Sequence, residues 1–401
     1  MTLTHRVREV VLTVRGPDGT PLTGRDVVVE QRRHEFGFGC IGFDFVGHEG
    51  SEADARLAEQ WFDLFDTATL PFYWRYFEPE QGHPDTDRLL AAARWFVARG
   101  ARVKGHTLMW HTLAPQWLLE RGPDEVERLQ RERITRDVGD FAGVVDTWDA
   151  INEVVIMPVF TAEENAITPL ARARGRVETV RLAFETARAA NPDATLLIND
   201  FDLSPAYEQL VEEVLEAGIR VDAIGLQTHM HQGYVGEEKT QRVLDRFARF
   251  GLPLHLTETT LVSGDLMPPH IEDLNDWVVD MWPSTAEGEQ RQADEIVRHY
   301  RTLLAHPAVQ SATYWGLTDA GAWLGAPAGL VRADGTPKPA YDALRDLVRG
   351  QWWHGPTTLR TDDAGRVRVT GWRGDYAVRA GAASGSFVVG TPDEVDVRLA
   401  P

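Results

Sequence analysis

The sequence predicts an α/β protein built on one (β/α)8, or TIM, barrel with small β-strand additions at both termini. Three observations carry that prediction. Between residues 36 and 350, buried apolar runs alternate with amphipathic helical stretches eight times over, the pattern of a closed parallel barrel. No glycine-rich phosphate loop follows the first strand, which speaks against a doubly wound sheet. Residues 1–35 and 351–401 change texture to short alternating strands punctuated by GPDGTPLTG, DDAGR, WRGDY and AASGS.

Taken in order, VREVVLTV and DVVVEQRR read as two N-terminal strands around the first of these turns. The eight barrel strands are expected at 36–43, 65–74, 102–109, 146–154, 194–200, 222–229, 252–259 and 311–317. The helices after them are expected at 52–64, 86–100, 124–141, 176–190, 205–217, 238–250, 288–305 and 338–349, the last stopping at Gly350. The two terminal β segments are each too short to fold alone. Barrel termini lie on the same side, so the expectation is that they pair as one accessory β-sandwich.

Bulk properties narrow the function. The chain has 401 residues, a 43% hydrophobic fraction and a formal charge of −20, which suits a large-cored globular protein. Nucleic acids and anionic membranes want clustered Lys and Arg, so neither is an expected partner. Cys40 is the only cysteine, which excludes an intrachain disulfide and multi-cysteine zinc sites. MTLTHRVREV carries no apolar leader core, and the expectation is a cytoplasmic protein. The histidines are not spaced as a ligand set, so neither a metal nor a cofactor is expected.

In a barrel the chemistry gathers where the strands end. Those ends carry His106 and Trp110 after the third strand, Asn152 and Glu153 after the fourth, Gln227 and His229 after the sixth, Glu258 after the seventh, and Trp315 and Trp323 after the eighth. Singly, each has an ordinary reading: a solvated glutamate, a packing histidine, a tryptophan that plugs the barrel top. Together they mix acids, amides, imidazoles and indoles, which suits a sugar with its hydroxyls and its apolar C–H face. Two glutamates on separate strands could supply the acid and the carboxylate that flank a glycosidic bond. His34, Trp61, Trp95 and Trp277 sit on helices or outside the mouth and are read as structural. Trp352, Trp353 and Trp372 are read as packing residues before sugar-stacking ones.

GHTLMWHTLAPQW (105–117), WDAINE (148–153), GLQTHM (225–230), LTE (256–258), YWGLTDAGAWL (314–324) and GLVRADGTPKPAYDAL (329–344) resemble glycoside hydrolase family 10, the xylanase family of retaining barrel enzymes. The resemblance covers most of residues 36–349. It implies Glu153 as acid/base and Glu258 as the nucleophile that forms a covalent glycosyl-enzyme. It implies Asn152 on the hydroxyl beside the anomeric carbon, His229 orienting Glu258, and Gln227 beside it. His106, Trp110, Trp315 and Trp323 would wall the subsite of the sugar under attack.

The departures from the family pattern are as specific. Where it has Glu-Asn-x-x-Lys-Trp, gripping the next sugar, this chain has TLPFYW (69–74), so Thr69, Leu70 and Tyr73 replace the polar set. Leu113 stands in place of a Gln, and Thr260 in place of an Asp that would partner His229. Each hydrogen bond lost to a sugar hydroxyl weakens a subsite by about 0.5–1.5 kcal/mol. Tyr73 and Leu113 therefore either close the site behind one terminal sugar or accept an apolar decoration on it. The expected function is a retaining, exo-acting glycosidase of short or decorated β-xylosides. An endo-β-1,4-xylanase with a rearranged cleft and a non-catalytic carbohydrate-binding barrel are the alternatives.

Overall fold

A computed structural model describes residues 3–47 and 51–401. Its strands are β1 (Val7–Arg15), β2 (Asp26–His34), β3 (Gly37–Ile41), β4 (Thr67–Pro71), β5 (Arg102–His106), β6 (Thr147–Asn152), β7 (Thr195–Asp200), β8 (Ala223–Met230), β9 (Leu254–Leu261), β10 (Val309–Tyr314), β11 (Thr357–Arg360), β12 (Arg366–Trp372), β13 (Gly374–Ala380), β14 (Ala383–Val389) and β15 (Glu394–Arg398). Two compact units emerge, one from Met1–Phe38 with Asp342–Pro401 and one from Gly39–Tyr341.

The larger unit is the closed barrel, in the order β10-β3-β4-β5-β6-β7-β8-β9. Its strands are parallel and flanked by helices, so they are covered on both faces and read as near-continuous apolar runs. In TLLIND, for example, five of the six residues are buried. The connecting helices start where side chains satisfy their free backbone N–H groups. Ser51 and Asp54 form a reciprocal capping box on Glu52–Leu64. Ser204 caps Pro205–Glu216, with proline at its first position, and Thr285 caps Ala286–Ala305.

The structure refines several expected boundaries. β4 and β5 stop at Pro71 and His106, earlier than the apolar runs suggested. β9 continues three residues past Glu258, so that glutamate lies inside a hydrogen-bonded strand and not at its end. A helix over Ile167–Arg174 was not anticipated, and the last barrel helix, Pro339–Arg345, widens into a π-helical turn over Asp346–Gln351.

In the smaller unit β1 lies between β12 and β15, and β2 lies between β11 and β13, with β14 outermost. Val10, Leu12 and Val14 alternate along β1, and Val27 and Val29 along β2. They meet Val367, Val369, Tyr376, Val378 and Phe387 in one core. Trp352 is buried and stacks with Phe38 at 6.0 Å, Trp353 meets His34 and Arg349, and Trp372 meets His34.

Gly105 illustrates how tightly the barrel is filled. A Cβ built there would lie 2.2 Å from two ring carbons of the fully buried Trp148. Gly105→Ala is expected to destabilise the chain by about 1–3 kcal/mol, read as a lower urea midpoint with an unchanged slope.

Candidate active site

Two β-bulges aim the central side chains. In a regular strand Asp149 and Asn152 would face opposite ways, because side chains alternate. The β6–β7 register instead shifts between Asp149 and Ile151, and both residues join interior hydrogen bonds. A second shift pairs Leu226 with Leu256 but Gln227 with Glu258. Thr257 becomes the extra residue, and it and its neighbour Glu258 both reach Asn199. Glu153, the first residue after β6, has a φ of 57°, which non-glycine residues rarely adopt. Its N–H donates to the Asn199 carbonyl at 2.8 Å, anchoring the strained turn.

A network of amides joins the two glutamates. Asn199 Nδ2 donates to Asn152 Oδ1 at 2.7 Å and to Glu258 Oε1 at 3.1 Å. Gln227 Nε2 donates to Asn152 Oδ1 at 3.1 Å and to Glu153 Oε1 at 3.3 Å. Asn152 Nδ2 donates to Glu153 Oε1 at 3.2 Å, and the Trp110 indole N–H to Glu153 Oε2 at 2.7 Å. His229 Nε2 lies 3.2 Å from Glu258 Oε2, while its Nδ1 lies 3.3 Å from Thr260 Oγ1. Thr260 thus gives His229 a hydroxyl partner where an aspartate was expected.

Below this layer Asp149 accepts from Lys104 Nζ and His106 Nδ1, both at 2.7 Å. Burial raises the Asp149 carboxyl's affinity for a proton, but Lys104 and His106 outweigh it and hold the pKa below its ordinary value. An ionised carboxylate only accepts, so His106 carries its hydrogen on Nδ1 and turns Nε2 toward Glu258 Oε1, 4.0 Å away.

Glu153 has a very different electrostatic environment. Burial, then the charge of Glu258, pushes its pKa up to about 8, against the donors Trp110 and Gln227. Nearby Asp200 accepts from the Val155 N–H at 3.0 Å and is pushed to about 7 by burial. His111, 4.0 Å from Glu153 Oε2 and packed on Phe160, is held neutral by burial, its pKa down to about 3.

Aromatic rings enclose the two carboxyls. Tyr73 contacts His106 at 5.6 Å and Trp110 at 5.5 Å. Phe43 meets both Tyr73 and Trp315, at 5.8 and 5.7 Å, edge-on in each case. Trp315 meets His106 and His229, and the half-exposed Trp323 meets His229 at 4.9 Å. Burial and the neighbouring carboxylates Glu258, Glu153 and Asp149 drive the Tyr73 phenol far above its ordinary pKa, so it stays a neutral hydroxyl. Thr69 and Leu70 are fully buried in β4. Leu113, at a φ of 55°, lies in the loop after β5, and its carbonyl accepts from the Arg75 N–H at 2.8 Å. Arg75 also pairs with Glu163, tying the loops after β4, β5 and β6 together.

The structure therefore gathers His106, Trp110, Asn152, Glu153, Gln227, His229, Glu258, Trp315, Trp323 and Tyr73 around one mouth, while Leu113 enters only through its loop. Sequence reasoning passed over Asn199, Asp149, Thr257 and Phe43. Asn199 was within reach, since it closes the fifth strand as Asn152 closes the fourth. Phe43 carried no signal, because a phenylalanine after an apolar strand reads as core.

The arrangement makes a stability prediction. Between the unfolded carboxyl pKa of about 4.3 and its folded value of about 8, only the folded state holds the Glu153 proton, so stability falls as pH rises across that window. Glu153→Gln removes this dependence. The variant is expected to match wild type near pH 4 and to exceed it above pH 8, by on the order of 2 to 4 kcal/mol in chemical denaturation.

The sequence profile of glycosyl hydrolase family 10 matches residues 47–347. Endo-1,4-beta-xylanase B of Thermotoga neapolitana is 26% identical over 339 residues, covering 80% of this chain and 90% of that protein. Endo-1,4-beta-xylanase A of Xylanibacter ruminicola is 27% identical over 311 residues, covering 71% and 82%. Among solved structures, xylanase 10B from Thermotoga petrophila RKU-1 in complex with xylobiose aligns with a TM-score of 0.64 at 24% identity, over 79% of this chain and 95% of that one. That likeness speaks for the fold.

Proposed function

The chain belongs to glycosyl hydrolase family 10 and is a glycosidase, and from that premise we propose a retaining enzyme that removes terminal sugars from short or decorated β-xylosides. A retaining reaction needs one protonated carboxyl to release the leaving oxygen and one ionised carboxylate to attack the anomeric carbon. The single observation that carries the assignment of roles is the raised pKa of Glu153, about 8, beside Glu258. Glu153 protonates the departing oxygen, and Glu258 forms the glycosyl-enzyme. Glu153, now ionised, then draws a proton from the water that hydrolyses it. Asn199 and His229 orient the nucleophile, and Trp110 steadies the Glu153 anion between the two steps.

The end-wise part of the proposal is supported by the ring wall Trp110–Tyr73–Phe43–Trp315. It occupies the side where polar groups would hold a second sugar, and it offers C–H edges and one phenol in place of amides and charges. A second reading, an endo-β-1,4-xylanase, is favoured by the activity named for both relatives. The substrate under either reading is a carbohydrate, and the chemistry uses carboxylates alone.

The two readings differ in products. End-wise attack is expected to turn xylo-oligosaccharides into xylose with little thinning of polymeric xylan, whereas mixed short oligomers from xylan would establish the endo reading. Glu258→Ala is expected to lower turnover by about 10⁴-fold or more while retaining ligand binding; a wild type inert on every β-glycoside would favour a binding protein instead. kcat/KM is expected to fall as pH rises through about 8, where Glu153 ionises. Trp110→Phe removes a donor that favours the anion, so the alkaline limb should move to higher pH.

A further inference from the structure

The chain leaves the barrel ladder at Pro71 on β4 and at His106 on β5. Carbonyls just beyond those ends need donors from outside the sheet. One side chain supplies three of them. Arg133, 3% exposed on the helix Pro123–Asp140, donates from Nη1 to the Leu108 carbonyl at 2.7 Å. Its Nη2 donates to the Thr107 carbonyl at 3.0 Å and to the Phe72 carbonyl. The guanidinium also lies over the Trp74 ring, 4.9 Å from its centroid. These contacts flank Tyr73 on both sides in one loop and fall between His106 and Trp110 in the other.

A helix packed on a barrel normally buries an apolar stripe, and a charge placed there needs partners. Arg133 Nε donates to Asp137 Oδ2 at 3.1 Å, and Asp137 Oδ1 accepts from Arg136 Nε at 2.8 Å. Arg136 Nη1 reaches Glu78 Oε2 at 2.9 Å, the same oxygen that accepts the Trp74 indole N–H at 2.9 Å. Glu78 Oε1 accepts from the Gly82 N–H at 2.7 Å. Cations and carboxylates therefore alternate along one line of contacts, from the loop after β5 to the far end of the loop after β4. Burial lowers the Arg133 pKa to about 10, against Asp137, so the guanidinium stays charged at neutral pH.

We propose that Arg133 is a positioning residue for sugar binding: it fixes the Tyr73 loop against the His106–Trp110 loop and so sets the gap that a sugar enters. It rests on the xyloside reading above, in that the bound ligand is a xylose unit. A guanidinium is planar and rigid, so carbonyls bridged by one fork keep their spacing as a unit. The rings that ride on those loops are held at that spacing, Tyr73 with Trp110 at 5.5 Å and with His106 at 5.6 Å. A lysine carries its hydrogens on a single nitrogen and cannot span the same carbonyls. A side chain that binds no ligand thereby decides how well one fits.

The test is a double-mutant cycle between this brace and Tyr73, with 4-nitrophenyl β-xyloside as substrate. R133M/D137N breaks the brace by removing one charge of each sign, and it leaves Arg136 paired with Glu78. In the wild-type background the change is expected to raise KM by about fivefold and leave kcat within about twofold. In the Tyr73→Ala background it is expected to change KM by less than about 1.5-fold, because the ring that the brace positions is gone. Arg133→Lys should fall between, and it decides the cycle if the double variant does not fold. A general loosening of the barrel raises KM equally in both backgrounds, and that result overturns the proposal. An unchanged KM, or a loss confined to kcat, overturns it as well. Xylose affinity by NMR titration in the same proteins reads the cycle without turnover. Whether wild type turns over the aryl xyloside scores the substrate reading separately.

Discussion

Two carboxyl groups that share one set of amide donors cannot both ionise cheaply, and the chemistry of this chain follows from that constraint. Asn199, Asn152 and Gln227 hold Glu153 and Glu258 in fixed orientation, and the charge of Glu258 adds to burial in keeping a proton on Glu153. Had the barrel left Glu153 solvated, it would titrate in the ordinary carboxylate range and would not be an acid at neutral pH. The bulges in β6 and β9 are what make the crowding possible, since they let neighbouring residues along a strand serve the same interior.

A second consequence is the division of labour by depth. Charges lie at the bottom, where Lys104, Asp149 and His106 satisfy one another. Neutral amides come next and touch the reactive carboxyls, and aromatic rings form the rim. A buried charge without a partner would be costly, so the ionic groups sit where the surrounding strands can pair them. The rim faces substrate and is free to exchange hydrogen-bonding capacity for shape. Tyr73 and Phe43 show that exchange, because their rings meet edge-on at 5.8 Å and present C–H edges with a single phenol at the rim.

The fold and the two buried glutamates of the mouth were legible because periodicity and composition carry them. A barrel strand covered on both faces must be apolar throughout, and the eight runs announced themselves on that basis. Glu153 and Glu258 stood out as acids at the ends of such runs, and the motifs around them resemble a known family. Asn199 was missed only because the end of the fifth strand was not weighed like the others. Phe43, Thr257 and the bulges left no trace of their own, since an apolar residue or a threonine in a strand is unremarkable until its neighbours across space are known.

By itself the sequence determined the barrel, the two glutamates and the loss of the polar set at residues 69–73, because each is a property of residue type and spacing along the chain. Only the tertiary structure decided how burial and the charge of Glu258 raise the Glu153 pKa, how Thr260 comes to partner His229, and which rings meet around the mouth. Those depend on distances between strands remote in sequence, and a pKa or a ring contact exists only once burial and approach have been set.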